Sequence, residues 1–269
     1  MRGKDFFREM ETIAAPIAKA TYDSVRDTYS DMNDDQKFRF LAQFWYIEAP
    51  TIANFSRAWW NAVPRDTTGK YRDVEMFLAR QLYDESRHGK LYADACIRKG
   101  YVKSEDELWT HPYTRPVPGW LNFANWLEHL GNYHFTTLYG GEQMASECLT
   151  FPKFLEGAID AIDDPVVRWA FEAQTEEEAF HGMTGRYVVT KYCQTAHQQD
   201  EAAWAAQTTW RLLAEASVDL AKFVMDGQTV ERPPIAAHPA VSPPAKRVPR
   251  TLDHSDEESA KDAAEIAES

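Results

Sequence analysis

Cysteine is scarce: three in 269 residues, Cys96, Cys148 and Cys193, widely spaced and odd in number. That argues against a disulfide framework and fits a reducing compartment. No Cys-x-x-Cys pair occurs, which removes a zinc ribbon and a rubredoxin-type iron centre. Positive charge is also short, with 29 Lys and Arg against 42 Asp and Glu and a net charge of −13. Without a basic stripe to neutralise phosphates, nucleic acid is not an expected partner. No stretch approaches the roughly 20 apolar residues of a membrane span. Residues 1–20 are interrupted by Lys4, Asp5, Arg8, Glu9, Glu11, Pro16 and Lys19, leaving no signal-peptide core. The expectation is a cytoplasmic protein with no membrane partner. Alternating β-branched runs bounded by turn residues are missing too, so essentially no sheet is expected.

Helical patterning fills most of the chain. Residues 4–28 read as an amphipathic helix with a kink or break at Pro16. A second helix, capped within Asp31–Asp34, is expected to run to about Val63, before a turn over 64–69. A third covers about 71–100 and ends at Gly100. Ser104 to Glu107 reads as a capping box for a short helix. The segment His111–Gly119 carries three prolines and cannot be helical. Further helices are expected over 120–150, onward past Pro152 to about Ile162, over 166–193 and over 198–226. The fold class is therefore all-α, a four-helix bundle core with flanking helices, forming one domain over 1–227. Residues 228–269 hold six prolines and no aromatic residue before an acidic end. They are expected to be a disordered tail, although a proline-rich arm can also wrap a partner subunit in a homodimer.

The most informative pattern is Glu-x-x-His, present twice, as Glu85–His88 and Glu178–His181. Spacing i, i+3 sets a carboxylate and an imidazole side by side on one helical face. Two such helices, each joined by another that supplies one Glu, make the ligand set of helical-bundle di-iron and di-manganese sites. Glu85 lies 18 residues beyond Thr67 and Glu48 lies 19 before it. In an antiparallel hairpin the two fall within about one 1.5 Å rise of each other. Glu48 is also polar amid Phe44, Trp45, Ile52 and Phe55, where a buried carboxylate is costly unless paired or metal-bound.

For the second hairpin, centred near Asp163, Glu178 lies 15 residues after and Glu147 16 before. Glu142 is a turn and a half off in height but sits on a more apolar stripe. The two glutamates are about 140° apart on an ideal α-helix, so both should not face the seam. Glu147 is preferred, with Glu142 as the alternative. Asp84 and Glu177 precede the two motif glutamates and suit the free nitrogens of ligating histidines. Arg87 can pair with such an acid across the bundle.

Four carboxylates and two imidazoles without thiolate suit two iron ions, or manganese or a mixed Mn/Fe pair, better than zinc. Their four negative charges balance two divalent ions. The expected chemistry is binding of O2 as a co-substrate, through a diferric peroxo state, and oxidation of a small organic substrate held nearby. No flavin, nicotinamide or iron–sulfur motif is present, so an external electron donor, a ferredoxin or reductase, is expected. Catalytic groups beyond the metal ligands are not legible.

At these residues the chain resembles the ferritin-like di-iron carboxylate superfamily, locally the hydroxylase subunits of bacterial multicomponent monooxygenases. Leu78-Ala-Arg-Gln-Leu-Tyr-Asp84-Glu85-Ser-Arg87-His88 is similar to their first Asp-Glu-x-Arg-His helix. Ala173-Gln-Thr-Glu-Glu-Glu178-Ala-Phe-His181-Gly is similar to their second. Glu147-Cys-Leu-Thr150-Phe-Pro is a looser match to the third-helix Glu with its Thr. The resemblance covers about 40–190 and implies a non-haem di-iron oxygenase or oxidase. Two departures stand out: Phe180 replaces the usual Arg, and the chain is much shorter than those subunits. A haem-oxygenase-like di-iron oxidase is the neighbouring alternative; that family often has a further His where this chain has Gln174. An iron-storage or detoxification protein of ferritin type is a different class.

Overall fold

Asn33 and Gln36 close a reciprocal cap. The Asn33 side chain accepts from the Gln36 N–H at 3.0 Å, and the Gln36 side chain accepts from the Asn33 N–H at 2.8 Å. With two backbone donors satisfied, helix α2 starts at Asp34 and runs to Glu48. The structure is a computed structural model that describes residues 1–49, 56, 59–63 and 68–238. Before α2 comes α1, Gly3–Tyr29, which continues through Pro16 rather than breaking there. Pro16 and Thr12, whose carbonyl loses its helical donor, both lie on the exposed face, where water replaces the missing bond.

The helix expected to reach Val63 is described only in part: Ala49, at its end, keeps αR geometry with its N–H bonded to the Trp45 carbonyl at 2.8 Å. Ser56 and 59–62 are helical, and 50–55, 57–58 and 64–67, with most of the expected turn, lie outside the described residues. Helix α3, Arg72–Arg98, ends as anticipated, with Gly100 at φ 73° and the Tyr101 N–H bonded to the Cys96 carbonyl at 3.0 Å. Helix α4, Glu105–Leu108, forms without a Ser104 side-chain cap; the Glu107 carboxylate instead accepts from the Lys103 N–H. The proline-rich connection contains one 3-10 turn, Pro112–Thr114.

The expected helix over 120–150 is three pieces. Helix α5, Pro118–Leu130, is followed by a break and by α6, Phe135–Tyr139, which widens into a π-helix at Gly140–Cys148. Helix α7 is Phe151–Ala161. The next expected helix is split into α8, Pro165–Glu172, and α9, Thr175–Tyr192, and α10 is Ala196–Asp226. Among the described residues there is no β-strand, and no helix is long and apolar enough to cross a membrane. The all-α class is what the chain adopts.

Two close approaches set the helices around the centre. A Cβ added at Gly89 of α3 would lie 2.9 Å from Ala49 Cβ. The end of α2 therefore rests on α3 one residue past His88, which brings Glu48 to that level. On α9, a Cβ at Gly182 would lie 2.9 Å from the Glu147 carbonyl oxygen, and one at Gly185 would lie 2.5 Å from the Gln143 carbonyl carbon. Those two glycines let α9 press antiparallel on the π-helix. The π-helix also packs on α10, where Trp210 Nε1 donates to the Ala145 carbonyl at 2.9 Å; Thr150 Oγ1 donates to the same oxygen at 2.9 Å. Two side chains thus satisfy a carbonyl in the widened turn. Phe40, Phe44, Tyr92 and Phe171 pack with ring centroids 5.0–5.4 Å apart, a dry aromatic wall beside α3.

After Gly227, an αL cap at φ 71°, the chain folds back. Asn122 Nδ2 donates to the Pro233 carbonyl at 3.0 Å, and Arg232 grips Asp219 of α10. Residues 228–238 are held against α5 and α10, whereas a free tail was expected from 228; the remainder, 239–269, lies outside the described residues.

Candidate metal centre

Helices α3 and α9 run antiparallel and present their Glu-x-x-His faces to each other, with the His88 and His181 ring centroids 5.9 Å apart. His88 Nδ1 lies 3.1 Å from Glu85 Oε2 and 3.2 Å from Glu178 Oε1. His181 Nδ1 lies 3.2 Å from Glu147 Oε2, 3.4 Å from Glu85 Oε1 and 3.6 Å from Glu178 Oε2. Donor atoms converge in two groups, Glu48–Glu85–His88 and Glu85–Glu178–His181, each within 4.8 Å. Glu85 belongs to both.

The π-helix changes the placement of the other two glutamates. Its i→i+5 hydrogen bonding stacks residues five apart, so Glu142 and Glu147 both point inward and meet through a hydrogen bond. The 140° separation of an α-helix does not apply to a segment wound this way. Glu147 reaches His181, while Glu142 is buried behind it, and its Oε2 has no hydrogen-bond partner among the described residues.

The outer contacts cross between the helices. His88 Nε2 faces Glu177 Oε2 of α9 at 3.1 Å, and Arg87 pairs with the same carboxylate. His181 Nε2 faces Asp84 Oδ2 of α3 at 3.4 Å. Asp84 takes its cation from its own helix, Arg80 Nε at 2.7 and 2.8 Å. That arrangement accounts for Phe180: an Arg at this position is unnecessary, and the Arg80 guanidinium lies over the Phe180 ring at 5.5 Å. Arg80 was missed from the sequence, although its i, i+4 spacing to Asp84 was the signal. Gln81, also missed, donates to Glu85 Oε1 at 3.2 Å and accepts from Gln143 at 3.1 Å. Gln174, where a further histidine would have stood, donates to the Tyr92 hydroxyl at 2.6 Å and to the Ala170 carbonyl.

Crowding of like charge dictates the protonation of this cluster. Burial, and then Glu85 and Glu178, push the Glu48 carboxyl well above its usual value. Burial and Glu147 do the same to Glu142. Burial and Glu147 lift Glu178 to about 8. Burial also opposes the charge on Glu85, but His181 and His88 overrule it and hold Glu85 at about 2. Against their own burial, the facing carboxylates raise His88 to about 9 and His181 to about 12. Protons thus do the work of cations here. The buried Glu178 Oε2 also has no hydrogen-bond partner among the described residues. An all-N/O donor set with orphaned carboxylate oxygens fits divalent ions.

No protein-family profile and no curated protein matches the chain. Solved structures do. A domain of unknown function with a heme oxygenase-like fold from Shewanella denitrificans OS217 superposes with a TM-score of 0.61 at 14% identity, over 82% of this chain and 94% of that one. A TenA homologue from Pseudomonas syringae pv. tomato DC3000 superposes with a TM-score of 0.56 at 10% identity, over 78% and 91%. The class is therefore an all-helical chain of heme-oxygenase-like fold. That is the fold of the neighbouring alternative, and neither structure supports the ferritin-like core expected from the motifs. Within that class, this chain carries a buried carboxylate–histidine cluster with the donor set for metal.

Proposed function

We infer that the chain is a heme-oxygenase-like, non-haem dimetal oxidase or oxygenase that uses O2 to oxidise a small organic substrate. The observation that carries this is the membership of Glu85 in both donor groups, because a carboxylate that can serve two ion positions at once favours a dinuclear over a mononuclear centre. Glu48 and His88 would complete one position with Glu85, and Glu178 and His181 the other, with Glu147 beside His181. Iron suits this set, with manganese or a mixed pair as variants, and when bound supplies O2 activation and electron storage.

The chain's own residues do the rest. Glu177 Oε2 meets the Nε2 side of His88 at 3.1 Å and Asp84 Oδ2 stands 3.4 Å from that of His181, so each Nδ1 is turned to the interior. Gln81 orients the shared carboxylate by donating to its Oε1. The aromatic wall of Phe44, Tyr92 and Phe171 excludes water from one side, which protects an oxidising site from side reactions.

Protein loaded anaerobically with ferrous iron is the test. Two irons per chain and a transient visible band on adding O2 are expected. One metal per chain, or loaded iron inert to O2, overturns the reading.

A further inference from the structure

Two buried glutamines lie between the π-helix and the shared carboxylate. Gln143 Nε2 donates to Gln81 Oε1 at 3.1 Å, and Gln81 Nε2 donates to Glu85 Oε1 at 3.2 Å. Both glutamine side chains are closed to solvent. One end of this relay is fixed from behind, because α9 presses on the Gln143 backbone at Gly185. Its polarity is fixed from the other end. An ionised carboxylate only accepts, so Gln81 turns its amide nitrogen to Glu85 and its oxygen outward, where that oxygen needs a donor. Gln143 supplies one.

Mutual satisfaction does not explain the pair. Gln143 Oε1 is buried with no hydrogen-bond partner among the described residues, a cost that apolar side chains of the same length would avoid. Both amides are also neutral. They orient Glu85 without setting a fixed positive charge where ions would bind.

Spacing on α3 decides what they orient. Gln81 stands four residues before Glu85 and His88 three after it, on one face of the helix. The carboxylate is therefore drawn two ways along α3, Oε1 towards Gln81 and Oε2 towards His88 Nδ1 at 3.1 Å. His181 Nδ1 lies 3.4 Å from Oε1, so each oxygen is turned to a different histidine.

We propose that Gln143 is a positioning residue: through Gln81 it holds Glu85 as a two-oxygen bridge between the ion positions at His88 and His181, and keeps both oxygens from closing on one ion. This rests on the dimetal reading above. The π-helix thereby acts on the shared carboxylate of α3 through an amide, apart from the glutamates it carries itself.

The test loads the wild type, Gln81→Met, Gln143→Met and the double variant with manganese(II), and reads metal content and the exchange coupling between the ions by EPR spectroscopy. Gln143→Leu removes the same donor in a second shape. The wild type should hold two coupled ions per chain. Each single variant should lose the coupling while still holding two ions at saturating manganese, the weaker of them bound about tenfold less tightly or worse. The double variant should match Gln81→Met in both readings, since the two glutamines act through one hydrogen bond to Glu85. Unchanged coupling in the Gln143 variants overturns the proposal, and unchanged coupling in Gln81→Met does so even where a Gln143 variant does not fold. A double variant worse than Gln81→Met also overturns it, because Gln143 then acts by another route. A wild type with two uncoupled ions removes the bridge and leaves the dimetal centre; a wild type with a single ion removes both.

Discussion

Glu85 is the acid common to both donor groups, although Glu178 also faces both histidines. Glu85 Oε2 faces His88 at 3.1 Å and its Oε1 faces His181 at 3.4 Å. Glu48 and Glu178 each belong to a single donor group. Substitution by the isosteric amide removes the charge without opening a cavity, so metal stoichiometry reads the role directly. Glu85→Gln should lower iron content from two per chain towards none, whereas Glu48→Gln should retain about one, measured by elemental analysis after anaerobic loading. Equal losses from both variants would mean that the two positions are filled cooperatively and that the shared carboxylate has no special place. The motif residues were legible because i, i+3 spacing is a local property that any α-helix preserves. Asp84 and Glu177 were legible for the same reason, though not the crossing by which each serves the histidine of the other helix.

At the scale of elements, legibility depended on whether the helix stayed α. Helix α3 and its Gly100 terminus follow from composition, whereas the π-helix at Gly140–Cys148 does not, and a count at 100° per residue misplaces Glu142. The expected single helix over 166–193 breaks at Ala173–Gln174, a break that no proline or glycine announces. The start of α8 was legible, at Asp164-Pro165. Asp164 Oδ1 accepts from the Val166 and Val167 N–H groups, and Oδ2 accepts from Lys99 of α3 at 2.6 Å. Burial pushes this carboxyl up, yet Lys99 and the two backbone donors outweigh it and hold it below its usual value. A carboxyl lowered in the folded state stabilises fully above its unfolded value, near 4, and loses that contribution as pH falls through the folded one. Asp164→Ala should therefore cost about 1–2 kcal/mol at pH 7, as a lost cap and a part-buried ion pair. In urea unfolding the gap should be constant above about pH 5 and should narrow towards pH 3. A gap that does not change with pH would assign the loss to packing alone.

For the whole molecule, the segment after Gly227 is tied to the helices by a contact between residues far apart in character. Pro-rich composition after Gly227 argues for a free tail, because few apolar groups remain to offset ordering. What composition cannot display is that Asp219, on the last helix, is completely buried and needs a cation. Arg232 supplies it with a bidentate grip, Nε to Oδ2 at 2.7 Å and Nη2 to Oδ1 at 2.8 Å, and reaches Glu215 Oε2 at 3.0 Å. Asp219 also accepts from the Gly119 N–H at 2.9 Å, so one carboxylate ties α5, α10 and the returning segment. Without Arg232 that charge would stay buried with a single backbone donor. Arg232→Met should cost about 3 kcal/mol, the scale for a buried ion pair deprived of one member. A chain ending at Gly227 should lose about as much relative to one ending at His238, in urea midpoints compared at equal slope. Iron content should be unaffected in all three, because the strap holds α5 and α10, which supply none of the proposed ligands. Equal midpoints for chains ending at 227 and 238 would return the folded boundary to Gly227 and reduce Arg232 to a surface contact.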